Sequence, residues 1–281
     1  MANPIKEKRK TVLCVLICAI IAVNVCVVLA TKASWFLHRS AEEILGKDVV
    51  DSVSFCVDGD FFKDSPVYIP ENIVKASEDK FSYFLLEAYR TSDGEVVCVP
   101  EENLENVIGI EGNVGDHTYF DLLKYNLVYK KEPTSTPIML CRNLVEQCVS
   151  SSLIPVIEPN GFDSYEQMDD ILKAYEFSDL IVVMTDDFDM ICKLNEKYPS
   201  IKLWYKVNEA TDEIIENMAV VENVDIVFNA QNRKNNSETI EKIKAQGLTC
   251  GCFDVNKNSL LKKYASLGVS EMITSRYVKT K

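Results

Sequence analysis

Short apolar strand patterns alternate with amphipathic helix patterns from Ile154 to the end of the chain. The strand patterns are rich in β-branched residues, and the segments between them carry apolar side chains at helical spacing. Such alternation predicts βαβ units and a parallel sheet. Eight strand–helix units in 281 residues favour an α/β fold in the form of a closed (β/α)8 TIM-type barrel. The predicted strands are Ser52–Val57, Phe81–Glu87, Ile154–Ile157, Leu180–Met184, Ile201–Val207, Val224–Phe228, Leu248–Val255 and Glu271–Thr274.

The N-terminal segment Thr11–Ala30 is apolar apart from Thr11 and Asn24, and it is long enough to span a bilayer as a helix. The basic residues within positions 6–10 precede it, which predicts a cytoplasmic N-terminus. We therefore expect a cytoplasmic tail (1–10), a transmembrane anchor (11–30), a juxtamembrane connector (31–51) and an extracytoplasmic barrel (52–281). A cleaved signal peptide is the alternative and would make the protein secreted, although its apolar region is usually shorter.

The charge of the chain limits its partners. The formal net charge is −13, and because residues 1–30 carry four cations and one anion, the remainder stands at −16. Such a surface repels nucleic acids and anionic headgroups, so a nucleic-acid partner is not expected. Seven of the ten cysteines lie beyond the predicted anchor, mostly within predicted strands or helices. This pattern favours buried thiols over a disulfide framework.

In a barrel of this type, the chemistry lies at the carboxyl ends of the strands. The chain places several carboxylates there, including Asp58, Glu87, Glu101 and Glu158. Carboxylate oxygens that converge on one mouth are suited to a hard divalent cation, Ca²⁺ or Mg²⁺. The alternative is that these residues are solvated loop acids in a chain with 43 acidic residues.

The stretch from Phe81 to Leu104 reads FSYFLLEAYRTSDGEVVCVPEENL. An apolar run ends at Glu87, turns at Asp93-Gly94 and resumes at Val96–Val99, which we expect to extend the second strand. This stretch resembles the signature segment of the glycerophosphodiester phosphodiesterase family. Further resemblances to that family are Pro70-Glu71-Asn72-Ile73, Val156-Ile157-Glu158, Phe253-Asp254-Val255-Asn256 and the segment from Leu267 to Ser275.

The resemblance implies a barrel that hydrolyses glycerophosphodiesters with two catalytic histidines and a divalent metal held by carboxylates. The family's His-Arg after the first strand corresponds here to Val57-Asp58, and its His-Asp corresponds to Pro100-Glu101. Both histidines are therefore absent, and His38 and His117 match neither position. In the family's Glu-x-Asp motif the first ligand is lost at Leu85 and the second becomes Glu87. Glu158 matches a further ligand, and the family lysine two residues later is Asn160.

These substitutions predict that no residue serves as the family's catalytic acid or base, and that Glu87, Glu101 and Glu158 are the candidate metal ligands. We expect a membrane-anchored barrel in which hydrolysis is lost or greatly weakened, and which binds a glycerophosphodiester-type ligand or a protein partner. One alternative is an active phosphodiesterase in which metal-bound water replaces the histidines. The other is a purely structural ectodomain.

Overall fold

The computed structural model of this chain describes residues 44–45, 47–162, 164–174 and 180–275. All of these residues belong to one compact unit, Ala41–Lys281. The predicted tail, the predicted anchor Thr11–Ala30 and most of the predicted connector lie outside the described residues. Within the described ranges, no helix has both the length and the hydrophobicity needed to cross a bilayer.

Eight parallel strands form a closed barrel, which confirms the fold predicted from the alternation. The barrel strands are β1 (Ser54–Val57), β2 (Tyr83–Arg90), β7 (Ile154–Pro159), β8 (Val182–Thr185), β9 (Lys202–Val207), β10 (Val224–Asn229), β11 (Thr249–Phe253) and β12 (Glu271–Thr274). Their order around the sheet is β1, β12, β11, β10, β9, β8, β7 and β2, and the barrel closes because β1 also pairs with β2. The closing registers place Ser54 opposite Glu271 on one side of β1 and Cys56 opposite Tyr83 on the other.

Helices follow most barrel strands and cover the outside of the barrel. Their apolar faces pack against the strands in the largest apolar cluster of the described residues, which includes Ile73, Leu144, Ile191 and Ile243. The described α-helices are α1 (Lys47–Val50), α2 (Pro70–Glu78), α3 (Glu105–Ile108), α4 (Tyr119–Leu122), α5 (Cys141–Ser150), α6 (Tyr165–Ala174), α7 (Phe188–Lys197), α8 (Asp212–Met218), α9 (Ser237–Ala245) and α10 (Asn258–Ser266).

The segment after β2 corrects one sequence expectation. Strand β3 (Val96–Cys98) does not extend β2 past the turn but folds back antiparallel to it, with Arg90 opposite Val96. Gly94 adopts a φ of +88°, which a glycine tolerates at a tight turn. The hydroxyl of Thr91 donates to the Asp93 carboxylate at 2.6 Å and helps to fix the turn. The prediction failed because an apolar pattern alone does not show in which direction the second strand runs.

An insert between β3 and α5 forms a separate apolar cluster together with residues of β2 and β3. It contains α3, α4 and three short strands: β4 (Asn126–Tyr129), β5 (Glu132–Pro137) and β6 (Met139–Leu140). The β4–β5 hairpin was not predicted, and the expected loop Glu102–His117 contains α3. Leu104, Leu122 and Leu127 are buried in the cluster of this insert.

The interior of the barrel is filled by side chains. Trp204 is fully buried among Tyr83, Val182 and Val227. Its indole N–H donates to Asp225 at 3.1 Å. Below it, Lys202 pairs with Asp225 at 2.7 Å and with Glu271 at 3.0 Å. This network lies near the amino ends of the strands, and the open mouth lies at the opposite end of the barrel, at their carboxyl ends.

Candidate functional site

The mouth of the barrel is a cavity of about 550 Å³ at the carboxyl ends of the strands. Leu85, Met184 and Ile273 contribute apolar lining, and Tyr89 and Phe253 contribute aromatic rings. The charged lining residues are Asp58, Glu87, Glu102, Glu158, Lys206 and Asp254. Among the described residues, the site therefore carries five carboxyl groups and one amino group, in agreement with the expectation that carboxylates converge on this mouth.

Three of these carboxyl groups come from neighbouring strands. Glu87 and Glu158 are direct partners in the β2–β7 register, and Asp58 follows β1 on the other side of β2. Burial raises the pKa of Glu87 to about 8, and the charges of Glu158 and Asp58 act in the same direction. Lys206 and a hydrogen bond from Tyr68 oppose this shift. The pKa of Glu87 consequently lies near neutrality.

Tyr68 holds Glu87 from the loop after β1. Its hydroxyl donates to Glu87 Oε1 at 3.3 Å and accepts from the Glu87 backbone N–H at 3.1 Å. The Tyr68 side chain is 2% exposed, so the pair is shielded from solvent on that side. The sequence did not indicate Tyr68 as a site residue, because nothing in the loop around it shows that it reaches a residue 19 positions away.

Lys206 enters the mouth from the end of β9 and forms an ion pair with Glu158. Glu158 is 8% exposed, so most of its hydration has been replaced by protein contacts. The ammonium also lies 5.4 Å from the centroid of the Phe253 ring, within the range of a cation–π contact. The sequence indicated that Lys206 ends a strand but not that its partner is Glu158 on another strand.

The sequence model of the Glycerophosphoryl diester phosphodiesterase family matches residues 75–279. The chain belongs to this family. No curated protein matches the chain at a significant level.

Solved structures of this fold resemble the barrel at low sequence identity. A phosphodiesterase from Oleispira antarctica, solved in complex with the product sn-glycerol-3-phosphate, has a TM-score of 0.69 at 14% identity and covers 86% of this chain and 97% of its own. A glycerophosphodiester phosphodiesterase from Thermotoga maritima has a TM-score of 0.66 at 19% identity and covers 80% and 96%, respectively. At such identities, the likeness shows the fold.

The two positions predicted to correspond to the family's histidines lie in different surroundings. Val57 is buried in the apolar cluster between the strands and the helices. Pro100 lines a second cavity of about 420 Å³ beside the mouth. His117 does not line the mouth, and its Nε2 lies 3.2 Å from the carbonyl of Glu111. His38 lies outside the described residues.

The predicted metal ligands are only partly brought together. Glu87 and Glu158 line the mouth, as do the substituted positions Asp58, Leu85 and Asn160. Glu101, in contrast, is exposed and is not part of this lining, whereas its neighbour Glu102 is. The chain leaves the sheet after β3 ends at Cys98, which separates Glu101 from the strand ends.

The donor set does not fit a divalent cation as the family uses one. Glu158 already forms an ion pair with Lys206, and Glu87 Oε1 accepts a hydrogen bond from Tyr68. Leu85 lines the mouth but has no side-chain oxygen. Among the described residues, no group of three His, Cys, Asp or Glu side chains is placed to hold a metal ion. The assignment of Glu87, Glu101 and Glu158 as metal ligands stays a prediction that this geometry does not favour.

Proposed function

We propose that this barrel is a binding module for a glycerophosphodiester-type ligand in which the hydrolysis of its family is lost or greatly weakened. The observation that carries the proposal is the replacement of both catalytic histidines, one by the buried Val57 and the other by Pro100 outside the mouth. Hydrolysis of a phosphodiester needs a base that takes the proton from the attacking oxygen and an acid that protonates the leaving oxygen, each placed next to that oxygen. The open mouth keeps the space for a ligand without those side chains.

The charges of the mouth favour zwitterionic diesters. The described lining of the cavity carries five carboxyl groups and one ammonium, and the chain as a whole is acidic. An anionic diester would meet a repulsive field there, whereas a cationic headgroup would be attracted to the carboxylates. Tyr89 also lines the cavity and provides an aromatic ring for a cation–π contact with such a headgroup, whereas the Phe253 ring already contacts the Lys206 ammonium. Glycerophosphocholine is therefore a better probe than glycerophosphoglycerol.

The first test is turnover. The purified protein is incubated with glycerophosphocholine in the presence of Ca²⁺ or Mg²⁺, and released glycerol phosphate is measured. We expect none above the background without enzyme. Turnover that disappears in Glu158→Gln would refute the proposal and would support the alternative of a metal-dependent phosphodiesterase that uses Glu87, Glu101 and Glu158. The exposed position of Glu101 does not favour that alternative.

The second test is ligand binding by calorimetry. We expect glycerophosphocholine to bind more tightly than glycerophosphoglycerol, and Asn160→Trp at the edge of the mouth to block binding. Asn143→Trp on the exposed face of α5 is the matched control and should bind as the wild type does. A folded protein that binds neither diester would point to a protein partner or to a structural role.

We also propose that the barrel is extracytoplasmic and is held at the membrane by one helix. Support comes from the sequence of Thr11–Ala30 and the basic residues before it. Fractionation of cells that express the full chain tests this proposal. Recovery in the membrane fraction with the barrel open to external protease is expected, and release into the medium would indicate cleavage instead.

A further inference from the structure

The carboxyl groups of the mouth share one cavity with an amino group of the chain, that of Lys206. Asp58, Glu87 and Glu158 come from three neighbouring strands, β1, β2 and β7. All three side chains line the same cavity, and Glu87 and Glu158 are direct partners in the β2–β7 register. The charge of Lys206 acts to lower the pKa of Glu87, and its ammonium is paired directly with Glu158.

The position of this amino group distinguishes the chain from its family pattern. The family lysine two residues after the Glu158 position is here Asn160. The positive charge comes instead from β9, two strands away from β7 in the sheet. The stem of Lys206 reaches the mouth with its side chain 31% exposed, and the ammonium is held between Glu158 and the Phe253 ring.

We propose that the ammonium of Lys206 takes the place of the family's divalent cation as the counter-ion of these carboxyl groups, so that the mouth binds its ligand without a metal. This inference rests on the proposed function, because it explains how the acidic mouth can be occupied while hydrolysis is lost. A lysine ammonium supplies three N–H donors and one charge. It cannot supply the open coordination positions of a metal.

The Lys206 ammonium and a divalent cation would compete for the same carboxylates, which supports the inference. Ca²⁺ takes six to eight oxygen ligands, and carboxylates must be free to turn their oxygens toward it. An ammonium at hydrogen-bonding distance from Glu158 occupies that carboxylate and adds a repulsive charge at the point where a metal would lie. Without the ammonium, the carboxylates of Asp58, Glu87 and Glu158 should be free to turn toward a metal ion, which they are not placed to hold in their present arrangement.

The test compares metal binding by four forms of the full chain: wild type, Lys206→Met, Lys206→Arg and the double variant Glu158→Gln/Lys206→Met. Ca²⁺ and Mg²⁺ binding is measured by calorimetry and by the shift in Tm. We expect no saturable binding by the wild type or by Lys206→Arg, which keeps the charge. In Lys206→Met the Ca²⁺ affinity should rise at least about tenfold, because a unit charge acts strongly over a few ångström. The double variant should lose this gain.

Two results would overturn the inference. Saturable Ca²⁺ or Mg²⁺ binding by the wild type that Glu158→Gln removes would show a resident metal site. Absence of binding by both the wild type and a folded Lys206→Met would show that Lys206 is not what excludes the metal. If Lys206→Met is unstable, Ca²⁺ should raise its Tm while leaving that of Lys124→Met unchanged, and no rise would count against the inference.

These readouts are independent of the proposed function. Metal binding is measured on the protein alone, whereas the proposed function is tested by turnover and by glycerophosphocholine binding. A wild type that binds a metal but shows no turnover would refute the inference and leave the binding role intact. A wild type without metal affinity that nevertheless hydrolyses the diester would refute the proposed function.

Discussion

The hydroxyl of Tyr68 forms two hydrogen bonds with Glu87, donating to Oε1 of the side chain at 3.3 Å and accepting from the backbone N–H at 3.1 Å. Tyr68 lies in the loop after β1 and Glu87 lies in β2, so the contact ties that loop to the mouth of the barrel. The carboxyl group that it holds is surrounded by Glu158 and Asp58 and is largely removed from water. The loop after β1 and strand β2 are therefore joined at Glu87, whose ionisation is disfavoured by burial and by the neighbouring carboxyl groups.

Replacement of Tyr68 by Phe should destabilise the fold and perturb Glu87. The variant removes one hydrogen bond to a partly buried carboxyl group and one to a backbone N–H, which should cost about 1–3 kcal/mol. Because the Tyr68 hydrogen bond lowers the pKa of Glu87, we expect that pKa to rise in the variant. Urea unfolding and a ¹³C NMR titration of Glu87 measure the two effects. Tyr125→Phe, at an exposed tyrosine, is the control; equal stabilities for the two variants would contradict the role of Tyr68.

The stability of the protein should fall with rising pH through Glu87. Its pKa is about 8 in the folded state, against about 4.3 for an unfolded glutamate. Between these values the folded state holds a proton that the unfolded state has released, so each rise in pH favours unfolding. Relative to Glu87→Gln, the free energy of unfolding should fall by up to about 1.4 kcal/mol per pH unit between about pH 5 and pH 8. Urea unfolding across this range measures it, and parallel profiles for the two proteins would disprove the assignment.

The network at the amino ends of the strands should contribute strongly to stability. Lys202 neutralises Asp225 and Glu271, which are both buried. Lys202→Met leaves two neighbouring carboxylates without their cation, and the free energy of unfolding should decrease by about 3 kcal/mol. Lys124→Met, which breaks an exposed pair with Asp121, is the control and should change little. A Lys202→Met variant as stable as this control would show that the network is solvated.

Thiol labelling of the native protein should single out Cys192 among the described cysteines. The other six are buried, whereas Cys192 is partly exposed on α7. Burial raises the pKa of most of these thiols, including that of Cys250 to about 12, which suppresses the reactive thiolate. Brief treatment with N-ethylmaleimide followed by peptide mass mapping measures the order of labelling. Earlier modification of Cys98 or Cys141 than of Cys192 would contradict the buried arrangement.

The barrel was predictable because its pattern is local. Each strand is a short apolar run and each helix has its own apolar stripe, so the eight units could be identified one by one. The direction of Val96–Cys98 was not predictable in this way, because an antiparallel return and a continued strand show the same apolar residues. The same limit applies to the β4–β5 hairpin, which has few apolar residues and is mostly exposed along Glu132–Pro137.

The sequence by itself determined the fold class and the family, and it predicted that no histidine occupies the family's catalytic positions, since these depend on residue identity and order. Only the tertiary structure decided that Glu101 lies outside the mouth. It also decided that Tyr68 forms hydrogen bonds with Glu87 and that Lys206 forms an ion pair with Glu158. These relationships join residues far apart in the chain, and closure of the barrel brings them within a few ångström. Charge and hydrogen bonding act over such distances, so the chemistry of the mouth follows from the folded arrangement.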